Sequence, residues 1–536
     1  MQQLITYLRE HPAVLYWTCA ILVVPALFIN LGLTAIWMDE PTRALVAMEM
    51  MISENFVTPT LMGEYYYNKP PLYNWMLIGL FDLFGENNEF VLRIPAAFFL
   101  MVYGITIFLT IRKYLNWKIA FMTALMLITC GRMLIFSSYI GHIDIFYSWL
   151  TYMSFIAIYE FYQREQYLLL FTVSYFLASL GFMCKALPSI VFQGGTLLAF
   201  FVYNKDFKRL LSWQHIVGGL LFLSIVSLYF FVYSQYNSLE TYFQTLWFES
   251  SRRTVIEKSF LESIAHLFTF PFATIYHLLP WTLFVVFCFK KGFFKELLAN
   301  SFLKFCVWIF LANVLVYWAS PDTRPRYLFM LYPLLFCVLA YAYESAKEDK
   351  RQWVNIFYYL TGSLAIVLGL GVWVVPFVEV LADLSLVWGK VALVSGIILG
   401  AGFLLFRLKT HRFVLLAICM LGIRLGYDFF VFPHRQLTGT FDKWKQNALD
   451  IAEIAEGEEL YVYPTFEFNQ ELIYYITRER NEILRGKTEI LPNTFYLCTD
   501  TILQDMPHKL YYDFIERRYM THVNLVKFTA SDKQDP

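Results

Sequence analysis

Charge is what this sequence has least of. Asp, Glu, Lys and Arg make up 16% of its 536 residues, against about 25% in an ordinary soluble domain. A chain this poor in charge cannot cover itself in water, so a soluble globular fold is excluded and lipid becomes the expected solvent. Net formal charge is zero, which suggests no nucleic acid or other polyanionic partner. Eight cysteines form no CxxC pair. Seven of them (Cys19, Cys130, Cys184, Cys288, Cys306, Cys337 and Cys419) lie in apolar stretches, where they read as small core hydrophobes. No internal repeat, low-complexity tract, long linker or glycine-rich phosphate loop is present. The last absence argues against a nucleotide site. After MQQLITYLREHPAV an apolar run begins that no small-residue cleavage site ends, so it reads as a retained first span.

What is present in abundance is apolar length. Runs able to cross about 30 Å of hydrocarbon recur about thirteen times: 14–37, 91–111, 118–138, 142–162, 167–184, 186–203, 213–234, 271–289, 301–319, 327–344, 353–376, 387–406 and 412–433. Short basic loops fall at RKYLNWK (112–118), NKDFKR (204–209), KKGFFK (290–295), SAKEDKR (345–351) and RLKTHR (407–412). With alternating spans all five share one side, which charge bias assigns to the cytoplasm. Counting 71–84 as a further span would invert every later loop. PLYNWMLIGLFDLF is therefore expected to lie at the interface or re-enter. The opposite, external side then receives 38–90, 139–144, 235–270, SPDTRPR (320–326), a short loop at 377–386 and everything after about 434. A shift in composition there, with strand-like ELYVYP, ELIYYIT and TFYLCTD between charged helical pieces, predicts a small α/β domain at 435–536 after a transmembrane domain at 1–434.

Chemistry is expected on the external side, where the unusual polar residues gather. WMDEPTR places Asp39 and Glu40 directly after the first span. Such a pair either caps the following helix or acts as a base toward an acceptor nucleophile. In YYYNKPPLYNW, Lys69 precedes two prolines, which end any helix before them and start the next. That lysine is either a snorkelling interfacial residue or a phosphate clamp with tyrosine hydroxyls beside it. Asp144 stands at the start of a span, with His142 near it; two residues do not make a metal site. Lys185, Arg252, Arg253, Arg324 and Arg326 add further external cations, against the usual bias. A buried anion such as phosphate would explain that excess. Arg424 and Asp428, four apart in the last span, read as a self-neutralising pair.

The order WMDEPTRALVAMEMM, GEYYYNKPPLYNWMLIGLFDLFG, NEFVLRIPAAFF resembles the first external loop of C-type (GT-C) glycosyltransferases that use polyprenyl phosphate sugars. It is most similar to their bacterial branch, related to protein O-mannosyltransferases and the lipid A aminoarabinose transferase. GFMCKALP and RPRYLFMLYP resemble two later segments of that branch. The resemblance implies an all-α polytopic GT-C fold and a sugar transfer, with inversion, from a polyprenyl phosphate to a lipid, glycan or protein acceptor. It implies a catalytic role for Asp39, with Asp144 as second acid and Glu40 adjacent. Lys69, Arg252 or Arg253, Tyr66 and Tyr327 would contact the donor phosphate, with Lys185 and Arg326 as further cations. Three positions depart from the pattern: Thr42 holds a slot that is often arginine, with Arg43 one place later; Asn68 precedes the lysine; and Ala186 stands where a glycine is usual.

Phosphate is a good leaving group, so one acid–base residue and several cations would suffice, without metal or cofactor. The chain would sit in a bacterial inner membrane, as a monomer, with site and C-terminal domain periplasmic. A lipid-linked sugar flippase or transporter, and a polysaccharide polymerase or ligase, are the alternatives. The first would place its charges near the midplane in repeated halves.

Overall fold

The structure is a computed structural model and describes residues 2–251, 260–463, 469–503, 506–516 and 521–528. Every apolar run identified in the sequence contains a helix. Seven helices are long and apolar enough to cross a membrane, and up to ten if each bent pair counts as one span. Those remaining from the sequence count are shorter or more polar, such as Leu187–Tyr203 and Tyr332–Ala346. Their starts follow local capping rules. Asn88, Asn116, Ser212 and Asn300 each accept a backbone N–H of the first turn, leaving fewer orphan donors where water is scarce. Leu220, Leu223, Leu228 and Phe231 on Trp213–Tyr233 point outward, the lipid-facing arrangement expected of such a chain.

The helix after the two prolines, Leu72–Phe84, has 13 residues, about 20 Å at 1.5 Å per residue. It is too short to span, as the loop charges required. Arg424 and Asp428 pair at 2.7 Å with neither side chain exposed, and a π-turn, Tyr427–Val431, carries the aspartate.

The C-terminal part is a five-stranded mixed sheet packed with helices. Its strands are β3 (Leu460–Val462), β4 (Arg485–Gly486), β5 (Phe495–Thr499), β6 (His508–Glu516) and β7 (Thr521–Phe528), in the order β4-β3-β5-β7-β6. β3 runs parallel to β4 and β5, while β7 is antiparallel to β5 and β6. A separate hairpin, β1 (Thr60–Leu61) with β2 (Glu64–Tyr65), lies in the first long loop. Its turn glycine, Gly63, has φ +78, and a Cβ there would meet Arg485 at 2.9 Å. The positive φ favours glycine, and a side chain there would also have to displace the exposed Arg485.

Two helices of the C-terminal part clamp the chain just before Asp39. The Ile36 N–H donates to the Tyr475 hydroxyl at 2.8 Å, and the Ala35 N–H donates to Asp442 at 3.1 Å. Tyr475 in turn donates to Glu89 (2.9 Å), which also pairs with Lys445 (2.6 Å). Burial raises the Asp442 carboxyl from 3.8 to about 6, against the lowering effects of the Ala35 N–H and Lys445. Because the folded value is the higher one, Asp442 costs nothing below about pH 4, destabilises increasingly between about pH 4 and 6, and carries a constant penalty above that. Asp442→Asn keeps the acceptor oxygen and removes the charge. We expect it to raise the Tm in detergent at pH 8 and leave it unchanged at pH 4. An equal shift at both pH values would show that the charge plays no part.

Candidate active site

Five loop or helix-end segments deliver the polar residues to one place. The first is the turn before Glu40–Ile52. Met38 sits in the left-handed region at φ 61, sparsely used by such a side chain, and this turns Asp39 away from the helix it precedes. Asp39 occupies the N-cap position, but its side chain makes no cap hydrogen bond. Of the two sequence readings for this carboxylate, capping is therefore not realised. The half-exposed carboxylate instead meets Arg326, which is buried and donates to it, and lies 3.9 Å from Arg324.

Arg326 is the hub. Its Nη1 reaches His142 Nε2 at 3.1 Å, and its Nε lies 3.7 Å from Asp144. Asp144 in turn accepts from Lys185, whose ammonium also sits 4.6 Å from the centre of the Tyr327 ring. The result is an alternating row, Asp39–Arg326–Asp144–Lys185. Burial works to raise the Asp39 carboxyl. Arg326, then His142 and Lys69, outweigh it and hold the group below the usual carboxylate range. Asp39 is therefore an anion at neutral pH.

Lys185 reaches this row because Ala186 reverses the chain. It is a single residue between Tyr167–Lys185 and Leu187–Tyr203, with φ 59 and ψ −127. That region suits glycine. Alanine stores strain in it. Ala186→Gly should raise stability by about 1 kcal/mol, read as a higher Tm; a lower Tm would mean that the alanine methyl packs to greater benefit.

Beside the row lies a cavity of about 510 Å³. Asp39, Arg43, Lys69, Lys185 and Asp322 are among its polar lining, and Leu187, Val191, Phe192, Leu246 and Val316 among its apolar lining. Arg43 donates to the Tyr66 hydroxyl, with its guanidinium 5.3 Å from that ring. Lys69 lies in a bend just before the two prolines. Among the described residues it is the one cavity-lining cation with neither a hydrogen bond nor an ion pair. Burial, then the neighbouring Arg43 and Lys185, push its ammonium well below the ordinary lysine range, and Asp144 and Asp39 only partly restore it. A concave pocket with a polar end, an apolar wall and an unanswered cation is shaped for an anion joined to something apolar.

Most residues singled out in the sequence thus converge: Asp39, Asp144, Lys69, Lys185, Tyr66, Tyr327 and Arg326. Arg252 and Arg253 lie outside the described residues. Glu40 does not join them. It is fully buried and paired with Arg93 at 2.8 Å, and it accepts from the Trp37 and Gly141 N–H groups. Its place is in the frame behind the site rather than at the cavity. Arg326 is committed to two carboxylates and is not among the cavity-lining groups. Sequence reasoning gave no role to Arg93, nor to Gln470, which lines the cavity and meets Thr42 from the C-terminal part. No local pattern marks either. Among the described residues no group of three His, Cys, Asp or Glu is placed to hold a metal ion.

This architecture is the GT-C fold, that of a class of multi-pass membrane glycosyltransferases. A family model described as dolichyl-phosphate-mannose-protein mannosyltransferase matches residues 68–230. An undecaprenyl phosphate-alpha-4-amino-4-deoxy-L-arabinose arabinosyl transferase of Photorhabdus laumondii is 22% identical over 534 residues, 90% of this chain and 93% of that one. Its Shewanella sediminis counterpart is 36% identical over 107 residues, 19% of each chain. An uncharacterized protein of Aquifex aeolicus is 25% identical over 227 residues, 42% of this chain. The aligned stretches thus cover only 45% and 19% of the Aquifex and Shewanella relatives. In fold, the crystal structure of ArnT from Cupriavidus metallidurans bound to undecaprenyl phosphate superposes with a TM-score of 0.69 at 16% identity, covering 95% of this chain and 97% of that one. The resemblance read from the sequence covers about residues 14–345, and the likeness of fold extends over 95% of the chain, C-terminal sheet included.

Proposed function

We propose that this protein is an inner-membrane glycosyltransferase that moves a sugar from a polyprenyl phosphate to an acceptor on the extracytoplasmic face, with inversion. The observation that carries the reading is Lys69: an unpaired, part-buried cation at the polar end of a half-apolar cavity. A phosphate answers the charge and a prenyl chain answers the wall. The undecaprenyl phosphate bound to ArnT from Cupriavidus metallidurans supports that donor class.

Departure of the sugar leaves negative charge on the phosphate. Lys69, with Arg43 and Lys185 beside it, stabilises that charge where it develops. Asp39, already ionised, accepts a hydrogen bond from the acceptor's nucleophile and takes up its proton as the bond to the anomeric carbon forms. Arg326 keeps the carboxylate oriented and anionic. Asp144 balances Arg326 and Lys185, so that neither competes fully for the phosphate.

Lys69→Ala tests this. A lost charge-assisted contact of about 1.5–3 kcal/mol should weaken undecaprenyl phosphate binding roughly 10- to 100-fold. Unchanged binding would remove Lys69 from the site. A pH profile adds a second check. The free lysine loses its proton below the usual range, so wild-type binding should weaken as pH rises before an ordinary lysine would titrate. Lys69→Arg should abolish that decline.

A further inference from the structure

Three of the five basic loops meet at a second cavity, of about 350 Å³. RKYLNWK brings Lys118, SAKEDKR brings Lys347 and Arg351, and RLKTHR brings Lys409 and Arg412. The cavity lies at the far end of the bundle from Asp39. Trp117–Thr129 starts there and leads on to His142. Tyr332–Ala346 ends there, having begun just after Arg326. Arg412–Gly426 starts there and continues to Tyr427, whose hydroxyl is 3.5 Å from that of Tyr139. Helices of this length separate the two sites by roughly 20 Å.

Topology alone accounts for exposed lysines in such loops. It does not account for Arg412, which is 2% exposed. Its Nε donates to the Leu405 carbonyl at 2.9 Å and its Nη1 to Asn355 at 2.7 Å. The Tyr358 and Tyr359 rings lie 5.6 and 5.2 Å from its guanidinium carbon, but its Nη2 has no hydrogen-bond partner and no carboxylate pairs with it among the described residues. A buried guanidinium without a counter-ion is costly. The neighbouring His411 also leaves its Nδ1 buried and unpartnered.

The surroundings are built for an anion. Lys118, Arg351 and Lys409 make no hydrogen bond or ion pair among the described residues. Lys347 is answered by Glu344 at 2.6 Å, and Glu348 is the one other acid lining the cavity. Two helices begin here, Arg351–Gly371 and Arg412–Gly426, and neither has a side-chain cap. Their first N–H groups and dipoles add positive potential. Phe121, Met122 and Phe413 supply an apolar wall.

We propose that this cavity binds a phosphate group, borne by a lipid headgroup or free in solution. Basic pockets between spanning helices take such groups. The Asp39 site plays no part in it.

The test uses full-length protein in detergent, carrying Lys69→Ala so that the Asp39 site does not report. Thermal unfolding is followed with phosphatidylglycerol, with phosphatidylcholine as control, or with inorganic phosphate. Phosphatidylglycerol or inorganic phosphate should raise the Tm, and phosphatidylcholine, whose phosphate is already neutralised by its own choline cation, should not. Replacing the exposed Lys118 and Lys409 together by Gln should raise the concentration needed about tenfold. A charge-matched control, Lys208→Gln with Lys291→Gln at the two remaining basic loops, should change nothing. Protection by phosphatidylglycerol alone identifies a lipid-borne phosphate; protection by inorganic phosphate identifies a free one. The proposal falls if neither probe protects, or if both double variants respond alike.

Discussion

Asp39→Asn should leave binding of undecaprenyl phosphate intact and lower transfer by about 10²–10⁴-fold, the usual contribution of a positioned base. The substitution keeps shape and removes charge. Arg326 retains Asp144 at 3.7 Å and His142 at 3.1 Å, so the hub is not left without an anion and the fold should persist. Asparagine cannot take the acceptor's proton, and it no longer repels the departing phosphate. The split between intact binding and lost turnover separates Asp39 from the cations around it. Lys69→Ala should do the reverse, weakening binding first. Transfer by Asp39→Asn at the wild-type rate would mean that the carboxylate is structural and that the base lies elsewhere.

Glu40→Gln should be the most destabilising single change in the first loop, by about 3–5 kcal/mol, because it strands a buried charge. Arg93 and Glu40 are both fully buried. Arg93 donates twice to Glu40 and also to the carbonyls of Leu31, Thr34 and Ala35. Glu40 collects the N–H of Trp37 at 3.1 Å and of Gly141 at 2.6 Å. The pair thus ties the end of the first span to the segment preceding Asp144, fixing Asp39 and Asp144 relative to each other. Loss of yield and a lower Tm are expected, with activity falling in proportion to folded protein. Glu40→Leu with Arg93→Leu should recover part of the loss, since no lone charge remains. A Tm unchanged in Glu40→Gln would show that the frame does not depend on this pair.

Adjacent residues 39 and 40 show how far a sequence can speak. Both were legible as acids at the edge of a membrane, and nothing local separated them. The helix that starts at Glu40 sends one side chain inward to Arg93 and leaves the other at the cavity. Only the fold makes that distinction, because the deciding partners lie 53 and 287 residues away.

The sequence by itself determined the solvent, the helices and the family resemblance. Apolar length and scarcity of charge act locally: a long run without ionisable groups must form a helix in lipid, whatever its neighbours do. It also marked the short helix after Lys69-Pro70-Pro71, since one more span would have moved all five basic loops to the external side. What only the tertiary structure decided was which charges are answered. Lys185 meets Asp144, Arg326 meets Asp39, and Lys69 and Arg412 are left without a carboxylate. Gln470 closes the cavity from a helix 428 residues beyond Thr42. Electrostatic pairing in a low-dielectric interior depends on distance in space, and a linear chain does not carry that distance.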